Sequence, residues 1–381
     1  MLQRGMRPCG RNACSSLKCC SDYRSKSSQN SRTRVLCTRL FFKGVGRFSP
    51  YHCLPLPNMP NAIILGTGSC VPDKVLSNHH FDKVGSNDAW IQQRLGIKER
   101  RVVDGQTTSD LAAGAAENAL KSAGLQPSDI DLIVLATATP DRPAPATACA
   151  VQEKIGATKA VAFDISAVCS GALFALSTGC QYIQSGMYQN VMVIGADTFS
   201  NITDWDRRDS VFFGDGAGAI VLTATEEDRG FLKFELHSDG SGKEGFTVPA
   251  GGCEIPTTPD TLSQGLHCFQ MDGKAVFETA TGHVPGTIES VLKQCGLSIG
   301  DIDCMLPHQP SIRILEEIAR RVNLPWEKVR TNMDRYANTS GGTIPIVLDE
   351  TWRSETFHPG DHILFAAVGA GWTWGAAIYK C

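Results

Sequence analysis

Apolar positions along the chain follow two spacings. Continuous apolar runs at Ile133–Thr139, Ala160–Asp164 and Val191–Gly195 read as buried strands, and Ile302–Leu306 reads as another. Between them the spacing lengthens to that of a helix. Over Ser109–Ser122 the positions Leu111, Ala112, Ala115, Ala119 and Leu120 make one apolar stripe, and Gly124 supplies the stop. Gly171–Gly186 and Ile312–Val322 read as further helices. Strand and helix patterns in alternation predict an α/β fold. Two stretches interrupt the pattern. Pro140–Pro145 is expected to form a loop. Asp239–Leu266 is rich in Gly, Pro, Ser and Thr and has no period. It is expected to connect two halves over the surface, where loops commonly shape access to a site.

The pattern also occurs twice. Ala119–Asp131 returns as Val291–Asp303, with Leu-Lys, Gly-Leu and Asp-Ile-Asp kept in place. Asp164–Gly171 is echoed at nearly the same offset by Asp334–Gly341, with Asp, Ala and Ser-Gly kept. Repeats this far apart predict one duplicated α/β unit rather than a solenoid of short repeats. The expected halves are 60–235 and 236–381. The body starts near Asn61, where an apolar run enters the turn Gly66–Gly68. About 320 residues remain from there, more than one core usually holds.

Charge sets the N-terminal stretch, 1–60, apart. It holds 11 Lys or Arg against one acidic residue, Asp22, in a chain whose net charge is −3. Basic, Ser-rich and acid-poor composition predicts an organellar transit peptide over residues 1–59, and the apolar stretch of a secretory signal is missing. The competing reading is a basic arm that binds nucleic acid or lipid. No run approaches the roughly 18–20 apolar residues of a membrane span. Of the 15 cysteines, six precede residue 54 and the others show no Cys-x-x-Cys spacing, so neither a zinc site nor a redox pair is indicated.

The duplication gives three residues a common destination. Cys169 lies between a strand and a helix among the small neighbours Ala167, Ser170 and Gly171. A thiol at a helix N-terminus is favoured as thiolate. His308 closes a strand in Pro307–Pro310, and Asn338 lies in the second copy of the turn that carries Cys169. Singly, each is open to a structural reading: a small core thiol, a hydrogen-bonded histidine, a turn asparagine. Brought together, they suit nucleophilic chemistry with two hydrogen-bond donors beside it.

These segments resemble the β-ketoacyl-acyl carrier protein synthase III family, the initiating condensing enzymes of type II fatty acid synthesis in the thiolase superfamily. The likeness covers Asn61–Cys381 and rests on Gly66–Gly68, Trp90–Ile97, the Cys169 segment, Phe213–Gly218, Pro307–Gln309, Asn338–Ser340 and Thr373–Gly375. It implies a duplicated thiolase-like fold layered α-β-α-β-α, working as a homodimer. It also implies that Cys169 takes an acyl group from acetyl-CoA. His308 and Asn338 then assist decarboxylation of malonyl-acyl carrier protein, and the backbone N–H groups of Cys169 and Ala370 hold the oxyanion. By the same resemblance Trp90, Arg94, Arg207, Phe213 and Ser311 bind substrate, Arg313 docks the carrier protein, and Ala144 reaches the partner subunit's acyl pocket. The resemblance requires no metal or redox cofactor.

Leu95 and Ser311 depart from the family's common residues, and Ala144 is small where some relatives carry phenylalanine, which would admit longer primers. The competing functions are a related acyltransferase with an unusual primer or acceptor, and a non-catalytic carrier-protein-binding partner. With the leader, the pathway implies the plastid stroma, and the mitochondrial matrix as second choice.

Overall fold

Residues 59–354 and 356–381 are described by a computed structural model. The expected leader and its competing reading as a binding arm fall outside the described residues. Two sheets organise the body. The first has the order Asn61–Cys70, Gly216–Thr225, Asn190–Asp197, Leu132–Ala136, Val161–Ile165. Leu132–Ala136 runs parallel to both of its neighbours, and Gly216–Thr225 runs antiparallel to its own. The second has the order Cys304–Pro307, His362–Gly369, Thr373–Lys380, Gly230–Ser238. The strand Gly230–Ser238 belongs to this second sheet and straddles the expected division at 235/236.

Apolar periodicity explains the layering. Helix Gly171–Gln184 has apolar residues on much of its circumference, so it needs cover on several sides. It packs with helix Thr343–Ser354 between the sheets. One core joins Leu173, Leu176 and Ile183 to Val193 and Leu222 of the first sheet and to Leu306 and Phe365 of the second. Helices Thr108–Ala123 and Thr147–Ile155 cover the outer face of the first sheet. Helices Gly273–Cys295 and Ile312–Val322 cover that of the second. The order is α-β-α-β-α, as expected of the thiolase-like fold.

The repeated segments fold alike because their stop signals are alike. Helix Thr108–Ala123 ends at Gly124 (φ 69), and helix Gly273–Cys295 ends at Gly296 (φ 72). The left-handed conformation at both ends suits a residue without a Cβ. A short turn follows each, closed by Asp129 onto the Gln126 N–H and by Asp301 onto the Ser298 N–H, both at 2.8 Å. The strand at Leu132 or Cys304 comes next.

The aperiodic segment carries more structure than its composition suggests. Gly240–Gly245 forms a 3-10 turn, Phe246–Thr247 pairs with Gln270–Met271, and Thr258 caps the short helix Pro259–Ser263. Gly242 and Gly245 lie so close to the Trp372 indole that a Cβ on either would overlap it. Among the described residues no helix is long and apolar enough to cross a membrane.

Candidate active site

Two equivalent turns meet where the sheets and central helices converge. The first, Val168–Ser170, opens helix Gly171–Gln184 and carries Cys169. The second, Ser340–Gly342, opens helix Thr343–Ser354 just after Asn338. Strands press against both turns at backbone distance. A Cβ on Gly195 would lie 2.0 Å from the Gly341 carbonyl oxygen, and one on Gly369 would lie 2.7 Å from Ala167 O and Ser170 N. Only glycine leaves room for these approaches.

Asn338 is fixed at both ends. Its N–H donates to Phe212 O and its carbonyl accepts from Gly214 N–H, each at 3.1 Å. Its Oδ1 accepts from Ser340 N–H at 2.8 Å, and its side chain also bonds the Cys169 thiol. With Oδ1 engaged, the amide NH2 is the group left to donate. His308 continues the strand Cys304–Pro307, its N–H donating to Ala366 O at 2.8 Å. Next to it, Gln309 Oε1 accepts from the N–H groups of Asn332 and Met333 at 2.9 Å each. Gln309 thus ties the histidine's strand end to the segment leading into Asn338.

Burial governs the electrostatics. The Cys169 thiol is pushed up to about 12 by desolvation, which outweighs the hydrogen bonds that favour thiolate. The sequence expectation of a thiolate at a helix N-terminus therefore does not describe the resting site. His308 is lowered to about 3 by burial and is neutral, and its Nδ1 has no protein partner. A neutral thiol and a neutral imidazole share the cavity.

That cavity has a volume of about 360 Å3 and is bordered by Cys169, His308 and Asn338. Trp90, Arg94, Phe213, Ser311, Arg313 and Ala370 also line it. Arg207 does not. Its guanidinium is held by Asp209 at 2.6 Å and by Phe269 O at 3.3 Å, and it is Arg208 that lies over the Trp90 ring, at 4.6 Å. Ala144 is exposed and does not line the cavity of its own chain. Sequence reasoning missed Phe246, Met271, Phe277 and Trp372, which form much of the wall. Phe246 and Met271 face the site because their short strands pair, a contact that no local period signals.

A buried thiol at a helix start, flanked by histidine and asparagine inside this double-sheet fold, defines a condensing acyltransferase of the thiolase class. Comparison with known proteins narrows the class. The model of 3-oxoacyl-[acyl-carrier-protein (ACP)] synthase III matches residues 163–240, and that of its C-terminal part matches residues 292–381. The chain is 46% identical over 320 residues to the beta-ketoacyl-[acyl-carrier-protein] synthase III of Caldanaerobacter subterraneus, covering 83% of this chain and 97% of the relative. It is 43% identical over 320 residues to the synthase III of Clostridioides difficile, with the same coverage. The crystal structure of the Aquifex aeolicus synthase III superposes with TM-score 0.78 at 38% identity, covering 84% of this chain and all of that one. The chain belongs to the β-ketoacyl-[acyl-carrier-protein] synthase III family.

These relatives also correct one expectation. They are enzymes of bacteria, which have neither plastid nor mitochondrion, so the likeness carries no organellar address. The plastid-stroma assignment is overturned: the pathway on which it leaned is represented by these bacterial relatives, and the leader composition that joined it belongs to a stretch outside the described residues.

Proposed function

We propose that the protein condenses acetyl-CoA with malonyl-acyl carrier protein, releasing CO2 and CoA and giving acetoacetyl-acyl carrier protein. The observation that carries this reading is the convergence of Cys169, His308 and Asn338 on one cavity. Cys169 attacks the thioester and becomes acylated. The carrier-bound malonyl group then enters and loses CO2, and the charge growing on its thioester oxygen is met by His308 and the Asn338 amide. A histidine kept neutral by burial still carries one ring N–H to donate. The resulting carbanion attacks the acyl-Cys169 carbonyl, whose oxygen is held by the N–H groups of Cys169 and Ala370. No step calls on a metal or redox cofactor.

Trp90, with Arg208 over its ring, is the platform for the CoA adenine. Arg94 and Ser311 line the path of the substrate arm, and exposed Arg313 at the mouth meets the acidic carrier protein. Arg207, occupied by Asp209, is left out of this reading. A homodimer is supported by the edge strand Val161–Ile165, where Val161 is 48% exposed and an apolar strand edge stands open to a second copy. In a dimer, Ala144 would face the partner's pocket.

Intact mass after incubation with acetyl-, butyryl- and octanoyl-CoA tests the reading. An acetyl adduct, absent in Cys169→Ala and discharged by malonyl-acyl carrier protein, is the expected result. A folded protein that takes no acyl group would overturn it.

A further inference from the structure

One polar contact of the thiol has no part in the roles above. Cys169 Sγ donates to Ser340 Oγ at 3.6 Å, and the Ser340 side chain in turn bonds the Asp197 carboxylate. Ser340 and Asp197 are both fully buried, and neither lines the cavity. Ser340 sits in left-handed backbone at φ 50, a conformation that favours glycine, and it nevertheless carries a hydroxyl. The carboxylate is held rigidly. Oδ1 accepts from the hydroxyls of Thr137 and Thr139 and from the N–H groups of Ala138 and Thr139, at 2.8–3.1 Å. Oδ2 accepts from Gly341 N–H at 2.8 Å. Among the described residues no basic side chain pairs with it. A buried carboxylate without a cation loses its charge most cheaply by taking up a proton.

We propose that Ser340 and Asp197 form a proton relay for Cys169, with Ser340 touching the reacting sulfur and Asp197 acting through it as a positioning and proton-storing residue. This rests on the condensation reading above. As Sγ attacks the acyl-CoA carbonyl, the S–H bond breaks and its proton passes to Ser340 Oγ, while Ser340's own proton passes to Asp197. The Sγ–C bond forms, the carbonyl C–S bond to CoA breaks, and the CoA thiolate leaves and takes a proton from water. Asp197 stays protonated while the acyl group is on Cys169. When the carbanion displaces the sulfur, the thiolate recovers the stored proton along the same path. The overall reaction then consumes one solvent proton, the one CoA takes.

Charge supplies the physical motive. The Asp197 carboxylate disfavours a thiolate at Cys169. Losing the thiol proton to solvent would leave two negative groups buried together, whereas passing it to Asp197 keeps the buried charge constant. The titratable groups facing the relay are Cys169, Asp197, His308 on the same cavity, and Asp215, which interacts electrostatically with Asp197.

Ser340→Gly in the full chain is the discriminating variant, because glycine accepts φ 50 without strain and the hydroxyl is lost together with its one carbon. Two rates are followed against pH: alkylation of Cys169 by iodoacetamide and single-turnover acylation by acetyl-CoA. The expected result is a fall of about a hundredfold in both near neutral pH, with the rising limb displaced to higher pH and an unchanged melting temperature. Ser340→Ala repeats the measurement if the glycine variant is unstable. A folded variant with wild-type rates and pH profile overturns the relay. If wild type is alkylated but never acylated, and alkylation still responds to Ser340→Gly, the relay stands and the condensation reading falls.

Discussion

Val168 and Ala337 both take a positive φ, 46 and 57, and each immediately precedes a residue that borders the cavity, Cys169 or Asn338. Non-glycine residues at positive φ are uncommon, and such strain persists only where the surroundings enforce it. Here the enforcing contacts are backbone on backbone, between the two turns and the strand ends beneath them. The position of Cys169 relative to Asn338 is therefore a property of the whole fold.

The first prediction concerns the division of labour at the site. His308→Ala should still form the acyl adduct, because the thiol's own contacts are with Ser340 and Asn338. Condensation should fall about 10²–10³-fold, the usual cost of one lost oxyanion donor. Intact mass for the adduct and CO2 release for the second step separate the two. An equal loss in both would place His308 in acylation instead.

Gly195→Ala tests the close approach of strand Asn190–Asp197 to the second turn. Its Cβ would meet the Gly341 carbonyl oxygen, which is backbone and has no rotamer to yield. A loss of roughly 1–3 kcal/mol is expected from overpacking, together with loss of acylation as the second turn shifts. Urea unfolding and adduct formation measure the two effects, and wild-type values in both would show the approach to be slack.

Much of this arrangement was legible in the sequence, for a physical reason. Helices such as Ile312–Val322 carry their own stripe, cap and stop, so local signals fix them. Cys169, His308 and Asn338 were also found, because each borders a strand or helix whose ends the pattern marks. What escaped was set by distant pairing. Phe246 has no periodic context, and its place in the wall depends on its pairing with Met271, on the far side of the aperiodic segment. Arg207 and Arg208 are neighbours of like charge, and only the placement of Asp209 and Trp90 decides which reaches the Trp90 ring.

Primer length provides a third test. Phe213 stacks on Phe199 at 4.4 Å and meets Phe269 edge-on at 4.9 Å, while Phe246 stacks on Phe269 at 5.7 Å. Phe213 and Phe246 border the cavity, so this cluster limits the space open to an acyl chain. Phe246→Ala is expected to shift the adduct preference from acetyl towards butyryl or longer, at a stability cost of up to about 3 kcal/mol. Competition between the three CoA thioesters, read by adduct mass, gives the answer. An unchanged profile would move the length limit away from this cluster, to the Ala144 loop that the proposed dimer would bring.

Acid should destabilise the fold through His308. Its folded value, about 3, lies below its ordinary 6.5. The unfolded chain therefore binds the proton first, and stability falls as pH drops from 6.5 towards 3. At pH 5 the loss is roughly 2 kcal/mol. Unfolding free energies from urea titrations at pH 7 and pH 5 should differ by that much more in wild type than in His308→Gln. Equal shifts would mean that the folded site already admits the proton.

The duplicated turn has a consequence for how the frame is shared. By the repeat's offset Thr339, not Asn338, is the counterpart of Cys169, and it is buried without lining the cavity. The two copies therefore meet the chamber one residue out of step, which turns a symmetric frame into a directional one: one side presents a thiol and the other an amide.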